Sequence, residues 1–388
     1  MRTQKKAIVL GNDHTNSLGV VQSLGLEGFY VIAFVWGLKT GLLLSSRFTK
    51  ELHSAANAQG CIDSMLNLFE GDSEPIPIIP CCDTAALVLE ENKERLMGHF
   101  LFGCVQGDYT IKQLQEKDLQ VKLATQSGFH VPKSIEITHI EEIDKFVAFE
   151  APYLIKPLMS IEGAKNDIMV CNTIEELKEK TKTVLMHTPR LLLQQYIDKD
   201  YEFSILGCAK IEGGVFIPAK EIKLTIFPPK TGLESKAIMV ELTEESLIIA
   251  INNLIKTIGY IGMFSVELMH NTKDGEFYFT EINLRNDGAQ PFVRKYGYNL
   301  PLIHVDDLLG LPMQLPKKTH PGMYLWEMHH FQAWRHHNIP FSTWFYEILK
   351  KRGFLISCGR DFKPFFKQFQ QIVRGFLRIK QLPKEYDT

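Results

Sequence analysis

The chain has 388 residues, of which 45% are hydrophobic and 23% are charged. A chain of this length and composition can build roughly two to three globular domains, which excludes a peptide hormone, a disulfide miniprotein and a disordered chain. The 43 Lys and Arg residues oppose 45 Asp and Glu residues, so the formal net charge is −2. The chain as a whole therefore lacks the positive charge that holds a nucleic-acid backbone.

The cysteines and the apolar stretches predict a cytoplasmic protein. The seven cysteines form no CxxC pair, which is typical of reduced thiols and disfavours a structural zinc site. The apolar run at residues 30–36 is much shorter than the about 20 residues that a membrane-spanning helix needs. Residues 1–6 are polar, with no signal-peptide core behind them.

The first hundred residues alternate strand patterns with helical ones. KAIVLG at residues 6–11 predicts a buried strand, residues 17–25 a helix and residues 29–35 a second strand, and the same order returns at 76–80 and 85–96. Strands that alternate with helices are typical of an open α/β sheet. We therefore predict an amino-terminal α/β domain over residues 1–110.

The rest of the chain has a different rhythm, typical of a mainly antiparallel α+β fold. The strand candidates are residues 153–156, 168–171, 191–195, 203–208, 216–223, 238–242, 264–270 and 276–282. We divide this part into a small subdomain at 111–200, a larger one at 201–315 and an aromatic-rich, basic helical extension at 316–388.

Two carboxylates and an amide are predicted to meet on one hairpin. Glu267 lies in FSVELM, a turn follows at residues 271–275, and Glu281 and Asn283 alternate along the second strand. Side chains two residues apart share a strand face, so the three can converge. Oxygen donors suit Mg²⁺, and two facing carboxylates without a cation would repel each other. The alternative is an edge hairpin with solvated acids.

Cationic and polar residues upstream suit a nucleotide. Lys156 ends an apolar strand, and Lys165 follows a small-residue turn whose amide groups could surround phosphates. An apolar strand then runs into a polar hinge that could clamp adenine, with Glu202 beyond it for ribose hydroxyls. The hinge residues are Gln194, Gln195, Tyr196 and Ile197. A surface lysine and a plain core strand are the alternatives.

Four segments, taken in order, resemble the ATP-grasp superfamily. They are IKP (155–157), QQYI (194–197), VEL (266–268) and TEINLR (280–285). The chain is most similar to carboxylate-amine ligases of the D-aspartate ligase-like group, with which it shares the opening VLG, a later SLG and EKDLQVKLATQSGFHVP. The resemblance runs from about residue 8 to residue 310. It implies an ATP-grasp fold: the α/β domain, a lid at 111–200, a large subdomain at 201–315 and a helical tail.

The resemblance also implies a role for each candidate residue. Lys156 and Lys165 would bind the α- and β-phosphates of ATP, the hinge would hold adenine and Glu202 the ribose. Glu267, Glu281 and Asn283 would bind Mg²⁺, with Mn²⁺ as an alternative. Arg285 would steady the transferred phosphate, and Lys223 would face the phosphates or the carboxylate substrate. The implied reaction joins a small carboxylate to an amine through an acyl phosphate, releasing ADP and phosphate.

Other functions stay open at this stage. The chain could be a non-catalytic ATP-binding regulator, or a cell-envelope or polysaccharide-modifying ATP-grasp enzyme acting on a lipid-linked substrate. GNDHTNSLG at residues 11–19 lacks the G-x-G-x-x-G spacing, which disfavours a dehydrogenase. Asn12, His14 and Asn16 there could contact the acceptor substrate, or could simply be turn residues. The pairs His329-His330 and His336-His337 lack further metal ligands at suitable spacing.

The tail predicts an amphipathic helix. Its apolar residues recur at spacings of three and four: Phe362, Phe365, Phe366, Phe369, Ile372, Val373, Phe376 and Leu377. Ten basic residues oppose three acidic ones over residues 350–388. The stripe could pack on the protein's own body, or the helix could lie on an anionic membrane or an acidic partner.

Overall fold

The protein is described here by a computed structural model that covers residues 5–145, 151–158, 168–227 and 233–379. The strands are β1 Lys6–Asn12, β2 Tyr30–Trp36, β3 Thr49–Ser54, β4 Ile76–Pro80, β5 Phe100–Phe102, β6 Cys104–Val105, β7 Ser134–Ile137, β8 Tyr153–Pro157, β9 Met169–Cys171, β10 Leu191–Gln195, β11 Lys199–Ala209, β12 Val215–Phe227, β13 Leu233–Val240, β14 Tyr260–Asn271, β15 Phe277–Asn283, β16 Gly322–Leu325 and β17 Gly353–Phe354. The helices are α1 Thr15–Leu26, α2 Leu42–Ser45, α3 Ala58–Phe69, α4 Asp83–Glu91, α5 Lys93–Leu96, α6 Ile111–Leu114, α7 Lys117–Ser127, α8 Ile174–Leu185, α9 Glu245–Ile258, α10 Gln290–Tyr296, α11 Leu300–Leu308, α12 Glu327–Arg335, α13 Phe341–Lys350 and α14 Lys363–Ile379.

The amino-terminal part forms the predicted open α/β sheet. Its parallel strands lie in the order β3-β2-β1-β4-β5. Both faces are covered, since Val9 belongs to one apolar cluster and Ile8 to another. The chain adds β2 and β3 on one side of β1, then β4 and β5 on the other. The strand order therefore reverses between β1 and β4, and in open α/β sheets such a reversal creates a ligand-binding crevice at the carboxyl ends of the strands.

A small antiparallel sheet follows, in the order β7-β10-β8-β9. One face packs on α8 and a 3-10 helix at Ile140–Lys145, with Ile155, Leu177 and Leu193 in the core. Because side chains alternate along a strand, Lys156 projects from the opposite face, beside its cross-strand partner Leu192. This sheet will be called the lid.

The large sheet has the order β15-β14-β11-β12-β13-β16-β17, with β6 paired to β14. One face is apolar and packs on α7 and α9 through residues such as Phe203, Val266 and Phe279. The other face is divided. Cys208, Ala219 and neighbouring apolar residues join the core that includes α10 and α11, whereas its remaining end carries polar and charged side chains. The polar end of this face will be called the polar floor.

Two segments are placed differently from the sequence-based division. Helices α6 and α7, assigned to the lid from sequence, contribute Ile111, Leu114 and Leu123 to the core of the large sheet. Strands β16 and β17, within the segment expected to be helical, extend that same sheet. Strands of four and two residues are too short to show a period of two in the sequence.

The segment before α14 is fixed to the amino-terminal domain through Asp361. Its buried carboxylate accepts hydrogen bonds from Ser46 Oγ at 2.5 Å, Gln22 Nε2 at 3.2 Å and the Arg47 backbone N–H at 3.0 Å. Leu355 is buried just upstream. In the described part of the chain, no helix is both long enough and apolar enough to cross a bilayer.

Candidate active site

The polar floor brings the predicted hairpin acids into one cross-strand row. Glu281 pairs with Glu267, Glu267 with Ser204, and Ser204 with Glu221. Lys223 lies two residues beyond Glu221, on the same face of β12. The register arises because β14, β11 and β12 are long antiparallel strands that share a continuous apolar face on the other side of the sheet.

Glu267, Glu281 and Asn283 meet as expected, although a register shift between Glu267 and Leu268 is what brings Glu281 opposite Glu267. Asn283 Nδ2 donates to Glu281 Oε1 at 3.3 Å, and Lys223 Nζ donates to Glu267 Oε2 at 3.0 Å. Although Lys223 lowers the pKa of Glu267, burial and the nearby Glu281 and Asp287 carboxylates raise it above its ordinary value.

The donor set on this hairpin consists of oxygen atoms. Within the described residues, no group of three or more His, Cys, Asp or Glu side chains is arranged to hold a metal ion. Two facing carboxylates with the Asn283 carbonyl nevertheless fit Mg²⁺, which usually takes only one or two protein carboxylates and fills its other positions with water and phosphate oxygens.

Lys156 faces this row from the lid and is 6% exposed. No described residue accepts a hydrogen bond from its ammonium group. Burial lowers the pKa of Lys156 to about 7, with repulsion from Lys117 acting in the same direction and attraction to Glu281 opposing it. A buried cation without a hydrogen-bonded anion is unfavourable, so this position is suited to receive an anion.

In the hinge after β10, the backbone N–H group of Ile197 has no acceptor among the described residues. Gln195 N–H donates to Lys133 O at 2.8 Å, and Tyr196 N–H donates to Pro152 O at 3.0 Å. No described group accepts from the N–H of Ile197, which is buried. Further along, Glu202 is paired with Lys199 and faces the cavity above the polar floor.

Arg285 connects the large sheet to the amino-terminal domain. Its Nε donates to Asp83 Oδ1 at 3.2 Å, and its Nη1 donates to Asp287 Oδ2 at 3.3 Å. Burial alone would lower the pKa of the guanidinium, but Asp83, Asp287 and the hairpin acids raise it above its ordinary value. Arg285 is therefore a permanent, positioned positive charge.

Two cavities meet at Arg285. One, of about 350 Å³, lies over the polar floor and is lined by Glu221, Lys223, Glu234 and Glu267 among others. The second, of about 390 Å³, lies at the carboxyl ends of β1 and β4, at the strand-order reversal. His14, Asn16 and Arg285 line both. The two cavities thus form adjoining compartments at the junction of the domains.

The amino-terminal candidates differ in how they are placed. The Asn16 side chain exchanges hydrogen bonds with Asn286, and Asn12 Nδ2 lies 3.4 Å from Trp36 O. Burial lowers the pKa of His14, although Asp13 opposes the effect. Of the remaining sequence candidates, Lys165 lies outside the described residues, and His330 is buried with Nε2 3.2 Å from Glu347 Oε2.

Sequence reasoning missed Glu221, Glu234, Asp83 and Asp287 as residues of this site. Glu221 could have been found, because it alternates with Lys223 along one predicted strand. Glu234 gives no such signal, since register shifts at residues 223–226 interrupt the pairing of β12 with β13. Asp83 lies just after the predicted strand at residues 76–80, but its contact with Arg285 joins residues 202 positions apart.

Comparison with known proteins identifies the family. Residues 122–289 match the ATP-grasp domain model. The chain is 21% identical to D-aspartate ligase from Enterococcus faecium over 63% of this chain and 62% of that protein. It is 25% identical to formate-dependent phosphoribosylglycinamide formyltransferase from Methanocaldococcus jannaschii over 67% and 66% of the two chains. The chain thus spans just under two thirds of each relative.

The solved structures most relevant here share the fold at low sequence identity. N5-carboxyaminoimidazole synthetase from Staphylococcus aureus superposes with a TM-score of 0.66 at 16% identity, covering 83% of this chain and 82% of that one. L-amino acid ligase from Bacillus licheniformis gives a TM-score of 0.58 at 15% identity, covering 79% and 75%. Residues 122–289 therefore belong to the ATP-grasp domain family, and the chain has the ATP-grasp fold and is related to ligases, as the sequence predicts.

The burial of Lys156 predicts a measurable effect on stability. At about pH 6.5, we expect Lys156→Met to be more stable than the wild type by about 1–3 kcal/mol, because the folded variant no longer buries a charge. The pKa of Lys156 falls from 10.5 to about 7 on folding. The unfolded wild type therefore holds an extra proton between these pH values, and its stability should rise across that window.

Urea denaturation at several pH values measures both effects. The advantage of Lys156→Met should shrink as the pH rises towards 10.5. Lys112→Met removes an exposed lysine and should leave the unfolding midpoint almost unchanged. Equal midpoints for Lys156→Met and the wild type at about pH 6.5 would contradict the buried charge.

Proposed function

We propose that this protein is an ATP-dependent carboxylate-amine ligase that forms an amide or peptide-like bond. The observation that carries the proposal is the placement of Lys156 opposite the row of Glu281 and Glu267, as a buried cation that donates no hydrogen bond to an anion among the described residues. A polyphosphate with Mg²⁺ satisfies both sides of this gap at once. The names of D-aspartate ligase and L-amino acid ligase support amide-bond chemistry.

ATP would lie between the lid and the large sheet. Lys156 would bind its phosphates, with Lys165 assigned to them from the sequence. The free N–H of Ile197 can donate to an adenine ring nitrogen, while a backbone carbonyl of the hinge accepts from the amino group. Glu202 would accept from ribose hydroxyls. Glu267, Glu281 and Asn283 would hold Mg²⁺, which when bound neutralises phosphate charge during transfer.

Arg285 and Lys223 would act on the transferred phosphoryl group. A substrate carboxylate oxygen attacks the γ-phosphorus, the bond to the ADP oxygen breaks, and an acyl phosphate forms. An amine then attacks the acyl carbon, the C–N bond forms, and phosphate leaves with the amine proton. The two cations stabilise negative charge on the phosphoryl oxygens in both steps. No covalent bond to the protein is needed.

The arrangement favours an enzyme over a purely regulatory ATP-binding protein. A regulator needs affinity for the nucleotide, whereas this site also places Arg285 and Lys223 in a cavity of about 350 Å³ that continues past the hairpin acids. That space can accommodate a substrate. The seven cysteines are unpaired, in keeping with the cytoplasmic location that stays a prediction from sequence.

A pairwise substrate screen tests the proposal. Small carboxylic acids and amines, including D- and L-amino acids, are combined with ATP and Mg²⁺, and ADP release is measured. We expect release to require one acid and one amine together, and Lys156→Met to reduce it by at least about a hundredfold, because a positioned phosphate-binding charge is lost. Wild-type ATP turnover that no acid or amine stimulates would contradict a ligase.

The proposed metal site predicts a shift in Mg²⁺ dependence. We expect Glu281→Gln and Asn283→Ala to raise the Mg²⁺ concentration for half-maximal ADP release by about tenfold or more, since each loses an oxygen donor or its charge. Glu241 is exposed and lies away from the cavity, so Glu241→Gln is the matched control. The same Mg²⁺ dependence in all three variants would argue against this metal site.

We further propose that the tail holds the enzyme on an anionic membrane surface. Phe365 packs against the protein core, but Phe362 and Phe366 of the same region are 56% and 59% exposed. Phe345 on α13 is also half exposed. α14 packs on α2, and Gln371 Nε2 donates to Thr40 O at 2.7 Å. Thr40 lines the second cavity, so this surface borders the compartment that adjoins the proposed substrate cavity.

Vesicle flotation tests membrane binding. The full chain should float with anionic vesicles at low salt and less at high salt, because basic residues and exposed aromatic rings act together. Lys363→Glu with Lys367→Glu should weaken binding, and Lys112→Glu should not. A chain ending at Asp361 is the suitable truncation, since an earlier end would remove the buried Leu355. No salt-sensitive, tail-dependent flotation would exclude this interpretation.

A further inference from the structure

Two carboxylates in the cavity over the polar floor have no role in the ATP chemistry. Glu221 on β12 is 1% exposed and Glu234 on β13 is 8% exposed. Both line the cavity together with Lys223, Trp326 and Arg285. They come from neighbouring strands, and the Glu234 carboxylate raises the pKa of Glu221. Two acids buried in one cavity are unfavourable in their charged form unless a cation approaches them.

The cations of the cavity are already engaged by other acids. Lys223 Nζ donates to Glu267, and Arg285 donates to Asp83 and Asp287. Glu221 Oε1 is buried and has no hydrogen-bond partner among the described residues. Burial raises the pKa of Glu221, with Glu234 adding to the effect and Lys223 opposing it; burial also raises the pKa of Glu234, which Lys223 opposes and Asp287 and Glu267 increase. A cationic group that enters the cavity beside the free Glu221 oxygen would stabilise the ionised form of these acids.

An ammonium group fits this position better than a second metal ion. Next to the acids, the indole of Trp326 stacks on His329 with ring centroids 4.1 Å apart, and the buried indole Nε1–H has no acceptor among the described residues. An N–H donor cannot ligate a metal ion, because it has no lone pair to give. Two carboxylates with one neutral donor in the same cavity match a primary ammonium that has an oxygen acceptor close by.

We propose that Glu221 and Glu234 bind the ammonium group of the amine substrate, and that the Trp326 indole N–H donates to an oxygen of the same molecule. This inference rests on the proposed ligase function and narrows its amine substrate to an amino acid or a similar primary amine with a neighbouring oxygen. The position suits the reaction, because Arg285 and Lys223 line the same cavity and the amine would wait beside the acyl phosphate. One of the two carboxylates would take the extra ammonium proton, which leaves the nitrogen lone pair free to attack the acyl carbon.

A direct binding measurement tests the pocket without relying on turnover. Isothermal titration of the full chain uses the D- and L-amino acids and linear diamines as probes. We expect at least one amine to bind the wild type, and to bind Glu221→Gln and Glu234→Gln at least about tenfold more weakly, since a charge-assisted hydrogen bond is lost. Its N-acetyl derivative should not bind, and Glu241→Gln should bind like the wild type.

Hydroxylamine separates the two halves of the reaction. It traps acyl phosphates as hydroxamates and is uncharged at neutral pH, so it does not need an acidic pocket. With ATP and the carboxylate substrate, Glu221→Gln should keep hydroxamate formation while the KM for the amine rises at least about tenfold. Equal loss of both products, or unchanged amine binding in both variants, would overturn the amine pocket. A wild type that forms no hydroxamate would instead contradict the ligase reaction.

Discussion

The site depends on charges that the protein holds apart. Lys156 projects from the lid without a hydrogen-bonded anion in the part of the chain that the structure describes, while Glu281 and Glu267 face each other across β15 and β14. Closing the lid onto the large sheet without a ligand would leave a single lysine against two carboxylates, and the Lys223 ion pair already engages one of them. In the proposed function, a metal-bound polyphosphate would supply both the cation and the anion that the two surfaces lack. Binding it should therefore offset the desolvation that each surface carries alone.

The large sheet can present these charged side chains because one of its faces forms the hydrophobic core and the other forms the candidate site. Phe203, Val266 and Phe279 bury one face on α7 and α9, and this packing fixes the register of β14, β11 and β12. Since alternate residues of the same strands point the other way, the register that builds the core also sets Glu267 opposite Glu281. A one-residue slip would bury the acids and expose the core. The strand register therefore determines both the stability of the sheet and the geometry of the site.

The same reasoning explains what could be predicted from the sequence. The period-two alternation was enough to place Glu281 and Asn283 on one face of β15, but their meeting with Glu267 also depends on a register shift between Glu267 and Leu268, which the alternation does not predict. The open α/β sheet and Lys156 at the end of an apolar strand could also be recognised. Asp83 could not be assigned to Arg285, since that contact joins two domains. Glu234 was hidden by irregular pairing, and β17 has only two residues, too few to show a pattern.

Arg285 is the charged residue that separates the two sides of the candidate site. It lies where the crevice of the amino-terminal sheet meets the cavity of the large sheet, and Asp83 and Asp287 hold it from the two sides. A charge fixed in this way needs little reorganisation when negative charge develops beside it. Lys156 lies on the lid side of Arg285, where the proposed phosphates would bind. Glu221, whose Oε1 has no hydrogen-bond partner among the described residues, lies on the β12 and β13 side, where the proposed ammonium would bind. An acyl phosphate formed beside Arg285 would therefore have its amine on the side away from ATP, where the leaving phosphate does not block the attack.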